Sequence, residues 1–130
     1  MIRTRGLFFD HELQDQYNSL ITFYAKQEGI QYKQGLNELG APFIILNKAG
    51  YPLDKIYQIF SAFVDLLIPN LYSDDDFMTL QSCFLFFNLL LKFHDVELHT
   101  FLNVNSLTPE LYTTPWFITL FASKCAFKVV

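Results

Sequence analysis

The sequence predicts an all-α fold, an irregular multi-helix orthogonal array of about six helices. Apolar residues recur three or four positions apart in successive segments, which is the spacing of one buried helix face. Glycine, proline and a short acidic run separate those segments where helices would start and stop. The composition can supply a core, because 52% of the 130 residues are hydrophobic and 18% are aromatic, in a chain of single-domain length.

The first helix is predicted from about residue 11 to residue 28. Asp10 suits the N-cap, and Glu12 places a carboxylate near the positive end of the helix dipole. Gly29 suits the position just after the helix, where a left-handed backbone is common. The buried face of this helix is predicted to carry Leu13, Tyr17, Leu20, Ile21 and Tyr24.

The second helix is predicted to begin near Gln34 and to end near Asn47. Gly40 and Ala41 are small enough to permit close packing against another helix. Pro42 would remove one intrahelical hydrogen bond and bend the helix if it lies beyond the first turn. The apolar residues at helical spacing are Leu36, Leu39, Phe43 and Leu46.

The third helix is predicted to start at Pro52, since proline suits the first helical position, and to end before Pro69. The acidic run Asp74-Asp75-Asp76 then precedes a fourth helix. It lacks the alternation and the closing glutamate of a calcium loop, so we interpret it as a helix cap. The stripe of the third helix consists of Leu53, Ile56, Tyr57, Phe60, Phe63, Val64 and Leu67.

The fourth helix is predicted from about Asp76 to His94 and is apolar on nearly every side. A helix of this kind needs partners all round, so we expect it to be the packing centre of the fold. Cys83 lies within its apolar run and is expected to be a buried thiol. The almost uncharged stretch 77–91 is too short for a membrane span, which needs about 20 residues.

A short fifth helix is predicted over Val96 to Leu102. Two threonine–proline pairs follow, and each resembles an N-cap with a first-turn proline. We expect Thr108-Pro109 to begin a single turn and Thr114-Pro115 to begin a separate final helix.

Composition excludes several functions. A net charge of −4 with scattered basic residues argues against nucleic acid binding, and no signal peptide is recognisable. His94 and His99 are five residues apart, which puts them on different sides of a helix, so we expect no metal site. No glycine-rich phosphate loop or nucleophile motif is present, and we expect neither a cofactor nor a free-standing enzyme.

One polar residue, Gln34, is a candidate for a chemical role. The sequence predicts that Gln34 lies where a short turn enters the second helix, so its amide would be held at a helix start. A carboxamide held in this way can orient a water molecule or bind a polar ligand. The alternative is an ordinary helix start with a solvated glutamine.

The residues around Gln34 resemble a known motif. Tyr32-x-Gln34-Gly35, followed by Leu36, Leu39 and Pro42, is similar to the "glutamine finger" of TBC domains, which are GTPase-activating domains for Rab-type small G proteins. Further stretches resemble the central TBC segment, above all in the kinase-like group: Phe93-His94-Asp95-x-Glu97-Leu98, Pro109-x-Leu111-Tyr112 and Pro115-Trp116-Phe117-x-Thr119-Leu120-Phe121.

The resemblance implies an activator of a partner's GTPase reaction, with a Rab-family small GTPase in its GTP-bound form as the partner. It assigns orientation of the attacking water to Gln34 and the arginine finger to Arg3, because Arg3-Thr4 matches the end of the family's Asp-x-x-Arg-Thr pattern. Arg5 is the alternative finger. The same comparison implies that Tyr32, Lys33, Gly35 and Asn37 contact the partner. A cytoplasmic protein is expected, associated with endomembranes only through its Rab.

The chain also departs from the family. The aspartate of the arginine pattern is absent, and a full TBC domain is considerably longer, so residues 1–130 are expected to be a partial domain without its opening helices and C-terminal lobe. Two other interpretations remain open. One is a non-catalytic helical protein-interaction module, either a pseudo-GAP or a truncated product. The other, based only on the aromatic richness, is a helical protein for an apolar ligand or a membrane surface.

Overall fold

The computed structural model describes residues 11–123. This part of the chain contains helices and turns but no strand, which confirms the all-α prediction. Contacts divide the chain into two compact units, Met1–Ser73 (unit 1) and Asp74–Val130 (unit 2). That residues 1–130 form one partial domain stays a prediction. The helices of the described part are α1 His11–Gln27, α2 Leu36–Lys48, α3 Leu53–Leu67, α4 Met78–His94, α5 Val96–Val104 and α6 Pro109–Ile118.

Unit 1 is built on mutual packing of α1, α2 and α3. The five residues predicted for the buried face of α1 are all buried. Phe60 of α3 is fully buried and makes edge-to-face contacts with Tyr24 and Phe43, at ring-centroid distances of 5.0 and 5.3 Å. The other fully buried large apolar side chains here are Tyr17, Leu20, Leu36, Ile44 and Ile56.

Gly40 lets α1 and α2 approach each other closely, as the sequence predicted. A Cβ atom at this position would lie 2.7 Å from Cδ1 of Ile21 and 3.3 Å from Cε2 of Tyr17. The missing side chain therefore makes room for the residues of α1 that cover the second helix. Pro42 lies beyond the first turn of α2, where it cannot donate the backbone hydrogen bond to the Glu38 carbonyl.

Two helix starts in unit 1 differ from the predictions by one or two residues. α2 begins at Leu36 rather than at Gln34, because Gly35 has a φ of 110° that no right-handed helix can contain. α3 begins at Leu53, and Pro52 is its extended N-cap residue rather than its first helical residue. Gly29 ends α1 as predicted, and the N–H of Ile30 donates to the Ala25 carbonyl at 3.0 Å.

In unit 2, the acidic run caps α4. One carboxylate oxygen of Asp74 accepts from the Thr79 N–H at 2.8 Å, and the other accepts from the Asp76 N–H at 3.2 Å. The Thr79 N–H belongs to the first turn of α4 and has no intrahelical acceptor. The cap interpretation is therefore confirmed, although the helix itself starts at Met78.

The prediction that α4 is a packing centre is wrong for the described chain. Within unit 2, α5 and α6 pack against α4, and these two neighbours bury only Leu80 and Phe84 of its residues. A helix that is apolar all round needs cover on every side, and two neighbours do not provide it. Cys83 is correspondingly half-buried instead of buried. The exposed apolar side chains of α4 include Leu85, Phe86, Leu89, Leu90 and Phe93.

Phe87 is the centre of an aromatic cluster in unit 2. Its ring lies 6.1 to 6.2 Å from the rings of Tyr112, Trp116 and Phe117 on α6. The expected break at Thr114-Pro115 is absent, since α6 runs unbroken past Pro115. The Thr114 hydroxyl donates to the Glu110 carbonyl at 2.5 Å, so this residue lies inside a helix and does not cap a new one.

Candidate functional site

The candidate site is the segment 32–37, which we call the glutamine turn. It connects the loop after α1 to the first residues of α2. Its geometry depends on Gly35, whose positive φ turns the chain immediately before the helix. A side chain at Gly35 would be strained in this conformation. Leu36 follows directly and is fully buried, so the helix start is anchored in the core of unit 1.

Gln34 is exposed within the glutamine turn. Its carboxamide has no hydrogen-bond partner among residues 11–123. An amide offers two N–H donors and one carbonyl acceptor. The group is therefore free to hold a water molecule or a polar atom of a partner, while the backbone on either side is fixed.

Two tyrosine hydroxyls donate to Asn37 and so hold the C-terminal end of the glutamine turn. Tyr32 donates to the side-chain Oδ1 of Asn37 at 2.9 Å, and Tyr17 of α1 donates to the backbone carbonyl of Asn37. The N–H of Leu36 also donates to the Lys33 carbonyl at 3.3 Å. Gln34 lies between these connections, so the backbone that carries its amide is bracketed on both sides.

Burial keeps both phenols neutral. Burial of Tyr17, followed by the nearby phenol of Tyr32 and the negative charge of Glu38, holds the pKa of Tyr17 far above its ordinary value. Partial burial and the same Glu38 carboxylate also raise the pKa of Tyr32. Because only a protonated phenol can donate, both hydrogen bonds to Asn37 persist across the physiological pH range.

A shallow groove adjoins the exposed ring of Tyr32. It has a volume of about 410 Å³, and it extends from this ring along the last turns of α1. The positive charge of Lys26 lies on this groove, next to apolar atoms. The groove is lined by Ile21, Thr22, Ala25, Lys26, Gly29, Ile30 and Tyr32.

The predicted site residues differ in accessibility. Tyr32 is 55% exposed and Lys33 is half-buried, whereas Gly35 is buried and Asn37 is only 8% exposed. Whether these residues contact a partner stays a prediction. Arg3 and Arg5, the two candidate arginine fingers, lie outside the described residues.

Tyr17 is the residue that sequence reasoning missed at this site. Helical spacing correctly placed Tyr17 on the buried face of α1, but no role was predicted for its hydroxyl. A signal was available, because a fully buried tyrosine hydroxyl needs a hydrogen-bond partner. The sequence could not show that the partner is the Asn37 carbonyl on the next helix.

Within residues 11–123, no group of three or more His, Cys, Asp or Glu side chains could hold a metal ion. His99 instead lies 3.1 Å from the side-chain amide of Asn103, and His94 packs against the ring of Phe93. Across the same described range, every helix is too short or too polar to span a bilayer.

Comparison with known proteins identifies the family. The model of the Rab-GTPase-TBC domain matches residues 2–130, which includes the glutamine turn and nearly the whole chain. The chain therefore belongs to the Rab-GTPase-TBC domain family. The resemblance that the sequence carried at Tyr32-x-Gln34-Gly35 and at the downstream stretches is confirmed at the level of the family.

The chain is similar to several curated relatives described as "TBC domain-containing protein kinase-like protein". It is 38% identical over 90 residues to those from Homo sapiens and Gallus gallus, and 36% identical over 91 residues to that from Dictyostelium discoideum. These matches cover 69 to 70% of this chain but only 9 to 10% of each relative. No solved structure gives a significant match.

Proposed function

We propose that this chain acts in trans on a Rab-family small GTPase in its GTP-bound form and accelerates GTP hydrolysis. The observation that carries the proposal is the exposed Gln34 amide, which has no hydrogen-bond partner within residues 11–123 and lies on a turn fixed to a buried helix start. Membership of the Rab-GTPase-TBC domain family supports the choice of partner. The chain itself is then an activator and not an enzyme.

Two tasks limit GTP hydrolysis: stabilisation of charge on the transferring phosphoryl group and orientation of the attacking water. The Gln34 amide can perform the second task, since its carbonyl accepts from the water while its N–H groups donate to a phosphate oxygen. Arg3 is proposed for the first task, with Arg5 as the alternative. A guanidinium suits that task because it stays charged and can bind two phosphate oxygens at once.

The test is single-turnover GTP hydrolysis by a panel of Rab GTPases with and without the chain. Gln34→Ala should lower the stimulated rate by about a hundredfold, the usual cost of removing one preorganised polar group. Arg3→Ala should lower it by about a thousandfold or more if Arg3 is the arginine finger. If Arg5→Ala produces the larger loss, the assignment passes to Arg5.

Gln31→Ala is the matched control, because it removes the same exposed amide three positions earlier in the same loop. Its maximal stimulated rate should equal that of the unmodified chain. A chain that stimulates no member of the panel contradicts the proposed function. So does a Gln34→Ala variant that stimulates as well as the control.

Location would follow from the partner. A Rab-bound activator is expected in the cytoplasm and at endomembranes that carry its GTPase, with a role in vesicle traffic. Fractionation should then show membrane association that requires the GTP-bound Rab. Membrane association that persists without any Rab would contradict this route.

A second candidate function is a non-catalytic module that binds another protein. The observation that favours it is the apolar surface of unit 2, where Phe86 is 63% exposed and Phe93 is 81% exposed. Large apolar patches on soluble proteins commonly mark interaction sites. Replacing Phe86 and Phe93 with serine should abolish binding of such a partner, whereas Gln34→Ala should leave it unchanged. The reverse pattern would exclude this candidate.

A further inference from the structure

We propose that Asn37 is a positioning residue that, through the hydroxyls of Tyr32 and Tyr17, fixes the backbone from which the Gln34 amide extends. This inference rests on the proposed function of Gln34. It adds residues that act indirectly, by holding the glutamine turn in place. The observation that carries it is that Asn37 accepts two hydrogen bonds, one from Tyr32 within the glutamine turn and one from Tyr17 on α1.

The first connection closes the turn itself. Tyr32 and Asn37 are five residues apart, and their side chains meet at 2.9 Å across the loop that contains Gln34. The hydrogen bond therefore makes a closed ring of the segment, and Gly35 supplies the change of direction within it. A closed segment of this size has far fewer conformations than an open one, so an amide attached to it is presented with less loss of entropy.

The second connection ties that ring to the core. Tyr17 is fully buried on α1, and its hydroxyl donates to the backbone carbonyl of Asn37 in the first turn of α2. Any rotation or shift of the helix start would break this buried hydrogen bond and leave polar groups unpaired. The position of the glutamine turn is thus set by α1 as well as by α2.

Burial argues for this role over direct contact with the partner. Asn37 is 8% exposed, so its carboxamide offers little surface to another protein. Its Oδ1 is already used by Tyr32, whose ring in contrast is more than half exposed. Asn37 acts on the partner only through the residues that it holds in place.

The first experiment measures amide hydrogen exchange by NMR on the 130-residue chain alone. The reporters are the N–H groups of Leu36 and Leu39, which donate to the carbonyls of Lys33 and Gly35. Tyr32→Phe removes one hydroxyl from a half-exposed ring and should accelerate their exchange roughly fivefold, with amides of α3 unchanged. Tyr57→Phe is the matched control on α3 and should leave both reporters unchanged.

The side-chain acceptor is tested in the same way. Asn37→Leu keeps the size but removes Oδ1 and should match Tyr32→Phe, whereas Asn37→Asp keeps an acceptor oxygen and should restore slow exchange. If Asn37→Leu also unfolds α3, that variant no longer reports on the turn alone, and the exchange rates of Tyr32→Phe test the proposal instead. Unchanged exchange of Leu36 and Leu39 in Tyr32→Phe would overturn the proposal.

The second experiment measures stimulated GTP hydrolysis. Positioning predicts that Tyr32→Phe lowers kcat by roughly fivefold and leaves KM for the GTPase unchanged. In a Gln34→Ala background the same substitution should have no further effect, because there is no amide left to orient. A raised KM with an unchanged kcat would instead make the Tyr32 hydroxyl a partner contact and refute positioning.

The two experiments separate the inference from the function on which it rests. Exchange rates need no GTPase, so a chain that stimulates no Rab would refute the proposed function and leave the exchange result standing. Conversely, a large loss of stimulation in Gln34→Ala with unaltered exchange in Tyr32→Phe would keep the function and refute the positioning role.

Discussion

Unit 1 and unit 2 use similar apolar material in different ways. In unit 1 the three helices bury one another, and Phe60 is completely inaccessible to solvent. In unit 2 the apolar residues of α4 are divided between a half-buried aromatic cluster around Phe87 and an exposed stripe that includes Phe86. Phe60 and Phe86 both lie in the middle of long helices, so the difference in their exposure comes from the residues around them.

This comparison shows how the pattern of a helix determines what its environment must provide. Of the predicted stripe of α3, Ile56, Phe60 and Val64 are buried, whereas Leu67 at its end is 54% exposed and that part of the prediction is wrong. The apolar residues of α4 surround the helix, so two neighbours leave part of it uncovered. The glutamine turn lies in unit 1, where rigid packing can hold a polar group in place.

The largest expected effect tests burial directly. Phe60→Ala should lower the free energy of unfolding by about 3–5 kcal/mol, because it removes a fully buried ring and leaves a cavity. Phe86→Ala is the matched change in unit 2 and should cost less than about 1 kcal/mol. Urea denaturation followed by circular dichroism would measure both. Equal losses would contradict the contrast between the units.

The next largest expected effect is a difference between the two units at alkaline pH. Burial raises the pKa values of Tyr17 and Tyr72 in unit 1 well above the tyrosine norm of about 10. The unfolded chain therefore releases these protons first, and stability that is intact below about pH 10 falls as pH rises further. Each phenol contributes on the order of 1 kcal/mol per pH unit above that point.

Absorbance at 295 nm would report unit 1, which holds six of the seven tyrosines, and fluorescence of Trp116, the single tryptophan, would report unit 2. The part of the absorbance change that belongs to Tyr17 and Tyr72 should be delayed and should coincide with unfolding, because burial raises the pKa of both phenols. Ionisation of these two phenols near pH 10, before unfolding, would show that they are not protected.

A smaller effect concerns the backbone of the glutamine turn. Gly35→Ala places a side chain at a φ of 110° and should cost about 1–2 kcal/mol of stability. Thermal unfolding would measure the loss. Ala49→Gly at the end of α2 is the control, since its φ of −86° suits any residue. A neutral Gly35→Ala variant would mean that the turn adopts another conformation in solution.

The smallest effect concerns a helix start in unit 2. The Asp95 carboxylate accepts from the Leu98 N–H at 2.9 Å, so Asp95→Ala should cost about 1 kcal/mol. Thr108 precedes α6 without a side-chain cap bond, and Thr108→Ala should cost less than about 0.5 kcal/mol. Urea unfolding monitored by Trp116 fluorescence would compare them. A reversed order would contradict the assignment of the cap.

Much of the fold was predictable because its signals are local. The buried face of α1 followed from apolar spacing, and the end of that helix followed from Gly29. The glutamine turn was recognisable from Tyr32-x-Gln34-Gly35, although its exact boundary depended on the φ of Gly35. The prediction of a helix break at Pro115 was wrong, since the hydroxyl of Thr114 bonds back within one continuous helix.

By itself, the sequence predicted the approximate positions of most helices, and it indicated Gln34 as the candidate for an amide that acts on a partner. Helix periodicity and turn residues act over a few positions, so they can be read without knowing the fold. Only the tertiary structure decided that the hydroxyls of Tyr17 and Tyr32 meet at Asn37 and that one side of α4 stays exposed. Burial and hydrogen bonds between helices depend on residues that are distant in the chain, and these are brought together only when the helices pack.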